Sequence, residues 1–257
     1  RRFHRLRNGS FVDMRNVDMS DVDEIADDLG LRAADLESGS ITVPAYEAYY
    51  LDHQVDDDAK DASFTAYLDG LRVIDPSTYR VPAALASVLR PYQAEGFRWL
   101  NAVCDKGFGG ILADEMGLGK SVQLLSLLLA RHKESRAEHR PNLIVCPASL
   151  VLNWAEECQK FTPELNCVVV DGDAAHRAQL AEQWDGADVV VTSYDLLRRD
   201  ETLYENQKFY ACILDEAQAI KNHTTQKYKA VCGVNSKVRF ALTGTPVENR
   251  LGELWSI

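Results

Sequence analysis

From Leu85 onward, short apolar runs alternate with longer stretches whose apolar residues recur every three or four positions. The runs Gly110–Ala113, Leu143–Cys146, Cys167–Val170, Asp188–Val191, Ala211–Leu214 and Val238–Leu242 predict strands. Between them, Ser121–His132 and Ser149–Phe161 predict helices. Strands without clean polar alternation suit a parallel sheet buried on both faces, so the expected class is α/β, doubly wound. The charged stretch Arg131–Arg140 reads as a helix end followed by a surface loop.

The first 80 residues follow another pattern and predict a small, mixed, mainly helical accessory region, with residues 81–257 forming the α/β domain. Asn8-Gly9 lies between Phe3-His-Arg-Leu and Ser10-Phe-Val-Asp-Met, a type I′ hairpin signal. Ser20, followed by Asp23, suits the cap of a short helix running through Leu29 and ended by Gly30. Pro44 suits the first turn of a helix carrying Tyr46, Tyr49 and Tyr50. Phe64, Tyr67, Leu68 and Leu71 share the spacing of a further helix. The tyrosines read as core packing and Asp56–Asp58 as a solvated turn.

Composition adds bounds more than direction. Hydrophobic residues make up 46% and charged residues 26% of the 257, enough for a sizeable core. The longest apolar stretch, near Leu124–Ala130, is far too short to cross a bilayer, and no secretory h-region opens the chain, so no membrane partner is expected. The net charge is −11. Through Val88 there are 9 Lys and Arg against 17 Asp and Glu, and after it 19 against 22. The acidity is therefore concentrated at the front, and no basic patch points to nucleic acid. The six cysteines form no C-x-x-C pair, and several sit in strand-like runs. They read as buried, reduced thiols of a cytosolic protein, not as a zinc site.

Candidate chemistry starts where the strand Gly110-Ile-Leu-Ala enters Asp114-Glu-Met-Gly-Leu-Gly-Lys-Ser121 and a helix follows. This is nearly a P-loop in its proper strand–loop–helix context, with Asp114 where the generic pattern has Gly. Gly117 and Gly119 let successive N–H groups of the loop, including those of Met116 and Leu118, curl toward phosphate oxygens. The helix beginning near Lys120 adds the positive end of its dipole. Lys120 would reach the β- and γ-phosphates of ATP, and the Ser121 hydroxyl would ligate Mg²⁺. About ninety residues on, Ala211-Cys-Ile-Leu ends in Asp215-Glu-Ala-Gln218. Asp215 is placed to hold the metal and Glu216 to deprotonate an attacking water.

These residues resemble the first RecA-like lobe of a Swi/Snf-type ATPase of helicase superfamily two, over about 170 positions from Leu89 onward. Leu89-Arg-Pro-Tyr-Gln93 resembles the family's Q-type motif, which implies nucleotide binding by Arg90 and reading of the adenine edge by Gln93. The loop at 114–121 matches motif I, Asp114 included. Val145-Cys-Pro-Ala-Ser-Leu-Val-Leu-Asn-Trp154 resembles motif Ia, and Thr192-Ser-Tyr-Asp195 resembles motif Ib. The resemblance implies that Pro147, Ala148, Ser149, Thr192, Ser193 and Tyr194 face a nucleic-acid backbone. Trp154 itself reads as core packing. Asp215–Asn222 matches motif II, and Leu242-Thr-Gly-Thr-Pro246 resembles motif III. Gln218, Thr243, Gly244 and Thr245 would then couple the metal site to the lobe interface. Asn249 and Glu253-Leu-Trp resemble the segment closing such a lobe, and the first 80 residues resemble, more weakly, a bacterial helicase-associated region.

The function implied is ATP-driven movement on double-stranded DNA in a bacterial cytoplasm or nucleoid, or in a nucleus if the source is eukaryotic. A second RecA-like lobe beyond this chain would supply arginine fingers, so this lobe alone is expected to turn over feebly. Two alternatives stay open: a DEAD-box-like RNA helicase lobe, and a nucleotide-binding scaffold that does not hydrolyse. A GTPase is disfavoured by the lack of Asn-Lys-x-Asp, and an ABC ATPase by the lack of a Ser-Gly-Gly-Gln-like signature.

Overall fold

The computed structural model describes residues 3–5, 11–13, 25, 48–72, 75–115 and 117–244. The chain forms two compact units, residues 1–72 and 73–257.

In the first unit, β1 (Phe3–Arg5) and β2 (Phe11–Asp13) pair antiparallel. A two-residue turn at 8–9 would set Arg5 opposite Val12. Arg5 instead faces Phe11, one residue out of that register. The expected pairing forms, but not with a type I′ turn's register. The capped helix expected at 20–29 and the start at Pro44 lie outside the described residues.

Helices α1 (Ala48–Gln54) and α2 (Ala62–Arg72) follow. Asp61 starts α2 by accepting the N–H of Phe64 at 2.7 Å, satisfying one of the free donors of its first turn. Tyr49 and Tyr67 do not pack into a core: they are 36% and 40% exposed. On α2 the inward position belongs to Leu68, four residues from half-buried Phe64, and Tyr67 falls off that stripe. Asp56 and Asp57 are exposed beside Lys60, which pairs with Asp57 at 2.8 Å and Asp52 at 3.0 Å.

The second unit is a six-stranded, wholly parallel sheet with strand order β3-β8-β7-β4-β6-β5. Its strands are β3 (Gly110–Leu112), β4 (Asn142–Cys146), β5 (Cys167–Val169), β6 (Val189–Ser193), β7 (Lys208–Leu214) and β8 (Asn235–Leu242). Every residue of β4 and β6 is buried, which is why these strands read as unbroken apolar runs. Successive residues serve opposite faces. Ile144, Val191, Ile213 and Phe240 join one core with Leu124, Leu128 and Trp154. Leu143, Val190, Cys212 and Ala241 join a second with Trp184, Tyr194 and Tyr204. The first face is covered by α3 (Pro91–Asp105), α4 (Lys120–Ala130) and α6 (Val151–Phe161), the second by α8 (Tyr194–Arg199), α9 (Glu201–Glu205) and α10 (Gln226–Gly233), while α7 (Ala174–Ala181) connects β5 to β6. Helices on both faces make the sheet doubly wound, as the apolar runs predict.

The stretch 131–140 is no loop. His132–Ala137 forms a short helix, α5, after a break at Arg131. Its charges have partners from elsewhere in the chain. Arg131 bonds Asp105 at 2.5 Å and the Asn101 side chain at 3.0 Å. His132 and Arg136 reach Asp188, which is 1% exposed, at 2.9 and 2.7 Å. Asp188 also accepts the N–H of Asn166 at 2.7 Å. Burial raises its pKa, but Arg136, the Asn166 N–H and His132 together hold it below the usual carboxylate value. All six cysteines are free thiols; Cys232 is exposed, against the expectation of burial.

Candidate active site

The phosphate loop leaves β3 and returns as α4. Gly117 and Gly119 have φ of 83° and 75°, the left-handed region where a side chain is strained. Lys120 curls over the loop and donates to the carbonyls of Asp114 at 2.7 Å and Glu115 at 3.2 Å. Asp114 has a structural role of its own. Its Oδ2 accepts from Nε2 of Gln123 at 3.0 Å, tying the start of the loop to α4. Gln123 is fully buried and fits only because residue 96 on α3 is glycine: a Cβ there would lie 1.9 Å from Gln123 Oε1.

Gln93 clamps the same loop from outside. Its Oε1 accepts the Arg90 N–H at 2.9 Å, capping α3, and its Nε2 donates to the Leu118 carbonyl at 2.9 Å. The Tyr92 hydroxyl donates to that carbonyl at 3.0 Å. A Cβ on Gly119 would meet Gln93 Nε2 at 2.4 Å, so the glycine serves both backbone conformation and this clamp. Both polar ends of Gln93 are thus engaged within the protein. Arg90 is exposed at the same edge.

Asp215 follows β7 and continues the sheet, its N–H donating to the Val145 carbonyl at 2.8 Å. Burial raises its pKa, only partly offset by the Trp154 indole and the Glu216 N–H that donate to it. Glu216 sits at φ 49°, ψ 53°, left-handed for a non-glycine residue. Such a conformation costs on the order of 1–2 kcal/mol and turns consecutive side chains apart. Glu216 Oε2 accepts from Gln218 Nε2 at 2.6 Å, and Gln218 Oε1 accepts from the Thr243 hydroxyl at 3.0 Å. Three of the residues predicted from two distant motifs therefore form one hydrogen-bonded chain. Gly244 is half-buried just past β8, and Met116 and Thr245 lie outside the described residues.

A cleft of about 320 Å³ is lined by Gly117, Gly119, Lys120, Ser121, Asn153, Glu157, Asp215, Glu216 and Leu242. An adjoining cleft of about 240 Å³ runs past Arg90, Tyr92 and Gln93, sharing Gly117, Gly119, Ser121 and Glu157 with the first. Asn153 and Glu157 were missed by sequence reasoning. They are four apart on α6, so they present one face to the loop, and Glu157 Oε2 is buried with no hydrogen-bond partner among the described residues.

The nucleic-acid expectation divides. Ala148 and Ser149 are exposed and Pro147 half-buried at the carboxyl end of β4, before α6. Thr192, Ser193 and Tyr194, expected to face a nucleic-acid backbone, are buried at 0%, 3% and 3% exposure. Each is spent internally. Thr192 Oγ1 accepts from the Tyr204 hydroxyl at 2.8 Å. Ser193 caps α8 by accepting the Leu196 N–H at 3.2 Å. The Tyr194 hydroxyl donates to the Asp215 carbonyl at 2.9 Å. Trp154 packs as expected, but it also donates its indole N–H to Asp215 at 2.8 Å.

Residues 92–257 match the SNF2-related domain, a span holding all of this site except Arg90. The chain belongs to the SNF2-related family. Residues 1–82 match the bacterial SNF2 helicase associated domain. An uncharacterized ATP-dependent helicase of Mycoplasma genitalium is 43% identical over 168 residues, covering 65% of this chain and 16% of that protein. Helicase SWR1 of Candida albicans is 38% identical over 201 residues, covering 77% of this chain and 12% of that one. The SWI2/SNF2 ATPase core of Sulfolobus solfataricus, solved in complex with double-stranded DNA, is 40% identical. It superposes with a TM-score of 0.61 over 71% of this chain and 36% of that one. The SNF2-family chain thus spans about a sixth of the first curated relatives it matches and about a third of that solved core. Among the described residues no helix is long and apolar enough to cross a membrane.

Proposed function

We propose that this chain is the ATP-binding lobe of a Swi/Snf-type double-stranded DNA translocase of the bacterial cytoplasm, preceded by a helicase-associated accessory region over residues 1–80. The observation that carries this reading is the meeting, in one cleft, of the Lys120–Ser121 loop with Asp215 and Glu216. The DNA-bound structural relative supports duplex DNA as the polymer.

Mg²⁺ fits the donor set. Ser121 and Asp215 line the same cleft, and Asp215 is a half-buried carboxylate with no ion-pair partner among the described residues. Ser121 and Asp215 would hold the ion, which needs few protein ligands because it keeps waters and phosphate oxygens. When bound, it would neutralise charge building on the phosphates. Lys120 binds the β- and γ-phosphates, exchanging its loop carbonyls for them. Glu216, held from behind by Gln218, takes the proton of the attacking water. A second RecA-like lobe of the parent protein completes the site with arginine.

The test is ATP hydrolysis by the full-length parent with no polymer, duplex DNA, single-stranded DNA or RNA, with Glu216→Gln as control. Duplex-stimulated turnover that the substitution abolishes is the expected result. Stimulation by RNA alone would move the protein to the RNA helicases, and no polymer-dependent turnover would leave a nucleotide-binding scaffold.

A further inference from the structure

Asp215 is held more tightly than a metal ligand at a strand end requires. Its Oδ2 takes the Trp154 indole N–H at 2.8 Å, and its Oδ1 takes the Glu216 N–H at 2.9 Å. Its own N–H donates to the Val145 carbonyl at 2.8 Å, and its carbonyl accepts the Tyr194 hydroxyl at 2.9 Å. With a donor on each oxygen, the half-buried carboxylate cannot rotate without breaking a hydrogen bond to a charged group.

Only one of the two carboxylate donors is a side chain, and it comes from a separate element. Trp154 sits on α6, 61 residues away in sequence, and is 2% exposed among Leu124, Leu128 and Ile144. A phenylalanine or leucine would fill an apolar core position. Tryptophan adds a donor, and a buried indole N–H ordinarily finds an acceptor. That the partner is Asp215, which lines the cleft with Ser121, gives α6 a direct hold on the site. The same helix starts just after the exposed Ala148 and Ser149, and it also carries Asn153 and Glu157.

We propose that Trp154 is a positioning residue that fixes the Asp215 carboxylate for the metal, so that α6 and metal-bound nucleotide are energetically linked. This rests on the reading of Asp215 as the Mg²⁺ ligand. Removing the outer partner of a metal ligand commonly weakens metal binding about 10- to 100-fold.

The experiment is equilibrium binding of a fluorescent ADP to the full-length parent and its Trp154→Phe variant, titrated with Mg²⁺ and repeated in EDTA. Phenylalanine keeps most of the packing and removes the N–H. The variant is expected to need about 10- to 100-fold more Mg²⁺ to reach half-saturation, while its affinity in EDTA stays within about twofold. Equal losses in both conditions, or none in either, would overturn the proposal, because a packing role weakens both alike. A wild type indifferent to Mg²⁺ would first sink the metal reading and this proposal with it, a failure distinct from the other two. Should the variant not fold, the indole ¹H–¹⁵N resonances of wild-type chain, which has four tryptophans, decide. The Trp154 signal must shift with Mg²⁺ and ADP and stay in place with ADP in EDTA; a signal unmoved by both overturns the proposal.

Discussion

Replacing Gln218 by leucine cuts the link between Glu216 and β8 while keeping the residue's approximate size. Two bonds are lost, that accepted from the Thr243 hydroxyl and that from Gln218 Nε2 to the Glu216 carboxylate, which is 2.6 Å long, half-buried and the one that bears on the base. A hydrogen bond to a charged group is worth about 1.5–3 kcal/mol. If that energy serves to hold the base in its reacting position, the rate falls by one decade for each 1.36 kcal/mol, or about tenfold to somewhat over a hundredfold. Gln218 lines neither cleft and touches no phosphate-loop residue, so nucleotide affinity should change by less than about twofold. Thr243→Val acts one bond further back, through Gln218 Oε1, and should cost less. The assay is DNA-stimulated ATP hydrolysis by the full-length parent, read as kcat, beside equilibrium binding of a fluorescent ADP. A Gln218→Leu protein that hydrolyses at the wild-type rate would refute the chain as a positioning device. So would one whose kcat is intact but whose nucleotide binding is lost.

Two further outcomes test other parts of the structure. Gly119→Ala forces a side chain into φ 75° and against Gln93 Nε2; the strain alone should cost about 1–2 kcal/mol in denaturant unfolding, and displacing Gln93 should weaken nucleotide binding. Asp188→Asn should cost on the order of 2 kcal/mol at neutral pH, less than a fully buried pair because Arg136 stays half exposed. Because the folded pKa of Asp188 lies below its ordinary value, its stabilisation is complete above an unfolded pKa of about 3.9 and lost as pH falls through the folded one. The gap between wild type and variant in unfolding free energy should therefore close below about pH 4; a gap constant from pH 7 to pH 3 would contradict the assignment.

The strands were legible because a parallel sheet covered on both faces favours unbroken apolar runs, as in Leu143–Cys146 of β4 and Val189–Val191 of β6. The phosphate loop and the Asp215–Glu216 pair were legible because each is a local strand–loop signal. What stayed hidden depended on distance. Helix α5 looks like a charged loop until Asp105 and Asp188 supply its partners. Trp154 looks like core until Asp215 comes beside it. Tyr194 carries a motif that suggests an outward face, yet its hydroxyl turns inward to the Asp215 carbonyl. The hairpin's strands were visible in their flanking residues, but their register differs by one residue from the one Asn8-Gly9 suggests.

The place of β8 in the sheet bears on how the protein is made. Among the described residues, the strand that launches the phosphate loop, β3, lies at the sheet's edge and pairs only with β8, Gly110 opposite Phe240 and Leu112 opposite Leu242. The strand that ends in Asp215 is reached from it only across β8. During synthesis the ribosome delivers Lys120, Asp215 and Glu216 before the strand that joins them. Until residue 242 has emerged, the phosphate loop and the Asp215–Glu216 pair have no common scaffold in the sheet.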